Sequence, residues 1–105
     1  METIDSNAVE LVGTLVRKGE PAHTRAGLLA YNLMVATQRA HIGAADDAAR
    51  EDWHHVCCYG SLAERVATLP EGSRVRVRGV LQNRITQSHP HRRLTAVYAQ
   101  RIELA

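Results

Sequence analysis

Hydrophobic and polar residues alternate along five stretches of the chain, a pattern typical of half-buried β-strands. Successive side chains of a strand point to opposite sides, so each stretch predicts one buried face and one exposed face. The fourth stretch shows this most clearly, because Val75 and Val77 alternate with arginines. The five predicted strands are Ala8–Arg17, Leu28–Thr37, Asp52–Tyr59, Ser73–Ile85 and Arg93–Leu104.

Three of the segments between these strands have the composition of loops. Lys18–Gly27 contains glycine, proline and polar residues and predicts a loop or hairpin turn, and Gln87–Arg92 predicts a polar turn. Arg39–Arg50 is small, charged and alanine-rich, which fits either a short helix or a solvent-facing loop. Within the first strand, Gly13 predicts a bulge or a sharp bend.

The segment after the third strand predicts a short helix. Ser61 and Glu64 have the spacing of a capping box, with Ser61 as the cap. Pro70 and Gly72 follow, so the helix should end near Leu69.

The order of these elements is that of an oligonucleotide/oligosaccharide-binding (OB) fold. We predict an all-β, five-stranded OB-fold barrel with one short helix between strands 3 and 4. A small sandwich or an unrelated barrel would also accommodate five strands. A length of 105 residues indicates one domain that spans residues 1–105, with no visible internal repeat or linker.

Composition restricts the class of protein further. A hydrophobic content of 45% excludes wholesale disorder, and without phenylalanine the core must be aliphatic. Cys57 and Cys58 are adjacent and point to opposite sides of a strand, so a local disulfide is excluded. No segment resembles a secretory signal or a membrane span, so we expect a cytoplasmic protein with no membrane partner.

Positive charge is concentrated in the second half of the chain. Residues 1–52 carry five bases and eight acids, a net charge of −3, whereas residues 53–105 carry eight bases and three acids, a net charge of +5. Twelve of the thirteen bases are arginine, which makes bidentate and stacking contacts with phosphates and bases. A genome of high GC content would explain this enrichment equally well.

Two predicted strand faces combine aromatic rings and guanidinium groups. Trp53 and Tyr59 share one face of the third strand, and arginines line one face of the fourth. A single-stranded nucleic acid needs both, since bases stack on rings and phosphates pair with positive charge. The alternatives are rings that fill the core and arginines that form an ordinary solvated face. The predicted DNA-binding residues are Trp53, Tyr59, Arg74, Arg76, Arg78, Arg84, Arg39, Lys18, Arg92 and Arg93.

The sequence offers no recognisable catalytic or metal centre. His54 and His55 are neighbours on a strand, so their side chains diverge and cannot hold one ion together. No third ligand has a recognisable spacing, and no base is specified for either cysteine. We therefore expect no enzymatic activity, no metal and no cofactor.

Motifs distributed over residues 8–104 resemble the bacterial single-stranded DNA-binding protein (SSB) family. Val9–Leu15 resembles its opening Val-x-Leu-Val-Gly-x-Leu, and the later motifs follow in the family's order with nearly its spacing. The resemblance implies a homo-oligomer with a non-sequence-specific groove for single-stranded DNA, acting in replication, recombination or repair at the nucleoid. The later motifs are Gly27, Asn32, Val35–Thr37, Trp53–His54, Gly60, Leu62–Glu64, Gly72–Val75 and Gly79–Leu81.

The resemblance also implies roles for individual residues. Trp53 and Tyr59 match family positions that stack bases, and His54 matches a position near the subunit interface of a tetramer or dimer. Two further tryptophans that are usual in the family are absent, since the nearest positions hold His41 and Thr86.

The end of the sequence and its length bear on partner proteins. The family usually has a tail with an acidic, phenylalanine-ending tip, whereas this sequence ends at Ala105, so we expect the chain as given not to recruit enzymes that dock on such tails. The length also suits the related primosomal replication protein N (PriB), which bridges single-stranded DNA and a helicase. The Trp-His and Tyr-Gly-x-Leu-Ala-Glu motifs favour SSB over PriB. A mobile-element paralogue and an OB-fold protein-interaction adapter without nucleic-acid binding are further alternatives.

Overall fold

The computed structural model describes residues 3–39, 50–85 and 89–105. These residues contain six strands and one short helix. In chain order they are β1 (Val9–Lys18), β2 (Ala22–His23), β3 (Leu29–Gln38), β4 (Glu51–Tyr59), α1 (Ser61–Ala67), β5 (Arg74–Ile85) and β6 (Arg93–Leu104). The predictions for residues 40–49, including His41, and for Thr86 lie outside the described residues.

Five of the strands close into a barrel. Their order is β1-β5-β6-β4-β3, and a further pairing of β1 with β3 completes the circle. Every pairing is antiparallel except that of β4 with β6. The predicted all-β OB-fold barrel is thus confirmed, with its helix between the third and fourth barrel strands. The extra strand, β2, lies in the predicted Lys18–Gly27 loop and pairs only with β3.

β1 pairs with two different strands of the barrel. Its first part pairs with β5 and its second part with β3, and the register shifts between Leu15 and Arg17. A Cβ atom on Gly13 would lie 2.1 Å from the Ala36 carbonyl oxygen, so only glycine permits this approach of the two strands. The glycine therefore marks the place where β1 passes from one neighbour to the other.

The barrel interior is aliphatic, as the absence of phenylalanine required. Val75 and Val77 are buried, and the arginines between and beside them face outward, which confirms the alternation read from the fourth stretch. The largest fully buried side chains are Leu15, Val35, Val56, Val66, Val75, Val77 and Cys58. Burial raises the pKa of the Cys58 thiol to about 11.

The short helix α1 packs Ala63 and Val66 into the same core. The capping-box interpretation was wrong, because Gly60 is the N-cap and no side chain caps the helix. Gly60 has a φ of 66°, a conformation that glycine adopts at little cost, so the turn from β4 starts the helix at Ser61. The helix ends at Ala67, slightly before the predicted Leu69.

No helix in the described part of the chain is long and apolar enough to cross a membrane.

Candidate nucleic-acid interface

One outer side of the barrel carries most of the chain's aromatic residues. Along β4, Val56 and Cys58 are core residues, so the alternate residues Trp53, His55, Cys57 and Tyr59 face outward. The adjoining outer surfaces of β3, of β6 and of the second half of β5 extend this side. We call it the aromatic face, defined by Trp53, His55, Cys57, Tyr59, Tyr98 and Arg84.

Trp53 is an exposed ring and not a core residue. It is 56% exposed, and its indole Nε1 donates to the Glu51 carboxylate across 3.5 Å. Its partner on β3 is Ala36, whose small side chain leaves one side of the ring uncovered. A base can therefore reach this ring without a rearrangement of the barrel.

Tyr59 is half-buried because it stacks on Tyr98. The ring centroids lie 5.1 Å apart at an interplanar angle of 25°. The two meet because β4 and β6 are parallel neighbours, with Cys57 opposite Tyr98. Burial raises the pKa of the Tyr59 phenol, which keeps the ring neutral. The pair forms a second aromatic surface on the same face as Trp53.

Arg84 lies between these aromatic groups and beside Cys57. Its Nη1 donates to the Cys57 sulfur across 3.2 Å, and the Cys57 thiol donates to Asn32 Oδ1 across 3.3 Å. These groups border a cavity of about 450 Å³ that His55 and Thr95 also line. The sequence-predicted Arg84 is therefore brought to the aromatic residues by the pairing of β5 with β6.

Arg74 is also brought towards Trp53, along a row that crosses four strands. Arg74 pairs with Thr14, Thr14 pairs with Ala36, and Ala36 pairs with Trp53. Arg74 Nη1 donates to the Thr14 hydroxyl across 3.3 Å. At about 4.8 Å per strand, Arg74 lies roughly 14 Å from Trp53 along the row.

Arg76 and Arg78, with Glu10 and Glu103, form the surface that we call the arginine face. The two arginines follow Arg74 on the same side of β5 and pair with Val12 and Glu10 of β1, further along the strand from the row that leads to Trp53. Arg78 Nε forms an ion pair with Glu10 Oε2 at 2.7 Å, which lowers the pKa of that carboxyl. Arg76 pairs in register with Glu103. Carboxylates therefore offset part of the positive charge of this face.

Two further predicted cations are engaged within the fold. Lys18 Nζ donates to the Ala67 carbonyl across 3.1 Å at the C-terminal end of α1, where a positive charge is favourable. The Arg39 guanidinium forms an ion pair with Asp52 at 2.6 Å and lowers the pKa of that carboxyl. Both remain predictions as DNA contacts.

The last predicted site residues lie at the two margins of the barrel. Arg92 and Arg93 are exposed at the start of β6, in the hairpin that β5 and β6 form. His54 is half-buried on the inward side of β4 and hydrogen-bonds Thr37 Oγ1 through Nε2 at 2.9 Å. Its assignment to a subunit interface remains a prediction.

Comparison with known proteins decides the family. The model of the single-strand binding protein family matches residues 6–105. The chain belongs to the single-strand binding protein family. It therefore binds single-stranded DNA, and the family to which it belongs is not enzymatic. No individual curated protein matched the chain.

Sequence reasoning missed one aromatic residue of this SSB-family chain. Tyr98 was assigned no role, although its signal was present in the alternation around Val97 and Ala99 on β6. Those two residues are 4% and 5% exposed, so the residue between them faces outward. The sequence could not show that the Tyr98 ring stacks on the Tyr59 ring.

Proposed function

We propose that this chain binds single-stranded DNA with little dependence on sequence, across the aromatic face. The observation that carries the proposal is the placement of Trp53, Arg84 and the Tyr59–Tyr98 pair on one outer side of the barrel. Stacking accepts every base, because each has a π-face, and the backbone phosphates attract the guanidinium. Arg74 adds positive charge near the end of the aromatic face at which Trp53 lies.

The dimensions of the face suit several nucleotides. At about 3.3 Å per residue, Trp53 and Tyr59 lie roughly 20 Å apart along β4. The two stacking surfaces therefore lie towards opposite ends of β4. Arg84, on β5, contacts Cys57 between them. Each stacked base contributes about 1–3 kcal/mol.

Titration with oligo-dT tests this proposal directly. Trp53 is the sole tryptophan, so its fluorescence reports contact at one end of the face. We expect quenching at low salt, and an affinity that falls as salt rises because neutralised phosphates release counterions. A duplex of equal length is the control, since its bases are not available for stacking. An affinity for oligo-dT that does not exceed that for the duplex would contradict the proposal.

We further propose that the chain forms a homo-oligomer and acts in replication, recombination or repair. A domain of this size buries a modest fraction of its surface alone, so assembly would add stability. Leu81 and Ile85, which are 47% and 64% exposed on the β5–β6 hairpin, are apolar surface that assembly would cover. The solution mass with and without oligo-dT tests this point, and a monomer under both conditions would refute it.

A further inference from the structure

The cavity beside Arg84 differs chemically from the stacking surfaces that flank it. Its volume, about 450 Å³, falls within the range of about 300–1,000 Å³ typical of small-molecule sites. Ile85 and Leu94 contribute apolar walls, and the polar groups come from Asn32, His55, Cys57, Arg84 and Thr95. A stacking platform lacks such polar groups, so this cavity can distinguish one base from another.

The cavity lies on the path that we propose for DNA. Cys57 precedes Tyr59 on the same side of β4 and pairs across the sheet with Tyr98. Neither tyrosine lines the cavity, and Cys57, which does, connects it to the Tyr59–Tyr98 pair through the sheet. A base stacked on this pair places a neighbouring nucleotide at the mouth of the cavity.

The hydrogen bonds around Cys57 determine what the cavity offers to a ligand. The thiol proton goes to Asn32 Oδ1, which occupies one of the two lone pairs of that oxygen. Asn32 retains its amide N–H donors, and the guanidinium of Arg84 can only donate. The Arg84 contact to the sulfur uses Nη1 and holds the guanidinium at the cavity. Because Arg84 can only donate, it favours a base edge made of hydrogen-bond acceptors.

Guanine presents such an edge. Its O6 and N7 are adjacent acceptors that a guanidinium binds in a bidentate manner, whereas adenine places the N6 donor beside N7. We propose that this cavity is a guanine-selective subsite within an otherwise sequence-independent DNA path, with Arg84 as its specificity-determining residue. The inference rests on the proposed function, because DNA must first follow the aromatic face.

A series of oligonucleotides tests the subsite on the unaltered protein. Each is a short oligo-dT whose central nucleotide is replaced by guanine, adenine, cytosine, inosine or 7-deazaguanine. We expect guanine and inosine, which both keep O6 and N7, to bind about fivefold or more tighter than adenine. 7-Deazaguanine lacks N7 and should lose this advantage. Equal affinities for guanine and adenine, or a preference for cytosine, would overturn the subsite.

A pair of matched variants then tests the role of Arg84. Arg84→Lys keeps the charge but lacks the bidentate fork, so the ratio of guanine to adenine affinity should fall towards one. Arg101→Lys, an exposed arginine of β6 outside the cavity, should leave the ratio unchanged. A ratio that survives Arg84→Lys would refute the assignment. Failure of the unaltered protein to bind even unmodified oligo-dT would instead refute the proposed function, and the subsite with it.

Discussion

The aromatic face and the arginine face present the same guanidinium chemistry in two different settings. On the aromatic face, Arg84 donates to the sulfur of Cys57 among exposed or partly exposed rings, with no ion pair to a carboxylate in the described part of the chain. On the arginine face, Arg78 is bound to Glu10, and Glu103 lies in register with Arg76. The comparison teaches that arginines along one strand can differ in how much of their charge is already paired. The residues on the neighbouring strands decide how much of that charge a phosphate meets.

The largest expected difference between the faces comes from the aromatic rings. Trp53→Ala and Tyr59→Ala should each weaken oligo-dT binding by about 1–3 kcal/mol without unfolding the protein, because we propose that each ring stacks a base. Tyr98→Ala should act with Tyr59→Ala in a non-additive way, since the rings contact each other. Fluorescence anisotropy of labelled oligo-dT measures all three.

Thermal unfolding of the same variants provides the control. If Trp53→Ala or Tyr59→Ala abolishes the cooperative transition, that ring stabilises the barrel and its assignment to base stacking is wrong.

The next effect separates the arginines by salt dependence. Oligo-dT offers no guanine to the cavity, so Arg84 should meet a backbone phosphate there. Arg84→Ala should then reduce the slope of log affinity against log salt by about 0.7, the value for one lost phosphate contact on a single strand. Arg78→Ala should change the slope much less, because Glu10 already neutralises that guanidinium. Oligo-dT titrations at several salt concentrations measure both slopes. Equal reductions would show that DNA crosses the arginine face as well.

A smaller effect should follow from removal of the carboxylate of the arginine face. Glu10→Gln frees Arg78 and should raise the affinity for oligo-dT slightly at low salt, whereas Glu64→Gln on α1, a matched change away from both faces, should not. A decrease for Glu10→Gln would mean that Glu10 positions Arg78 for DNA.

The same ion pair predicts a pH dependence. The folded pKa of Glu10 lies below 4.5, so its ion pair stabilises the folded state above that pH and is lost as the pH falls through the folded pKa. Urea unfolding of the wild type and Glu10→Gln should therefore converge as the pH is lowered below 4.5. A difference that is independent of pH would exclude the ion pair as its cause.

The smallest signal is the reactivity of the two adjacent thiols. Cys58 is buried and has a pKa of about 11, so it should stay unmodified near pH 8 while the chain is folded. Cys57 is also buried, at 4% exposed, but it lines the cavity and should react first with a small alkylating reagent, more slowly when oligo-dT is bound. Mass spectrometry of the digested protein distinguishes the two sites, and equal labelling with and without oligo-dT would place the DNA elsewhere.

Much of the barrel could be predicted because strand alternation is a local property. The alternating valines of β5 predicted a buried side, and the position of Trp53 and Tyr59 on one side of β4 followed from their even spacing. The start of α1 was misjudged, because the φ of Gly60 overrode the capping signal of Ser61. The strand β2 was missed, since two residues are too few to show alternation.

The sequence by itself determined which side chains share a face of each strand. It also determined that the core is aliphatic and that the chain resembles the single-strand binding protein family. Only the tertiary structure decided which faces meet. Glu10 reaches Arg78, and Arg84 reaches Cys57, across strand pairings that join distant parts of the chain. Such contacts depend on the order and register of strands in the closed barrel, which no local pattern encodes. For the same reason, no local pattern could show that Tyr98 stacks on Tyr59 or that Arg78 lies opposite Glu10.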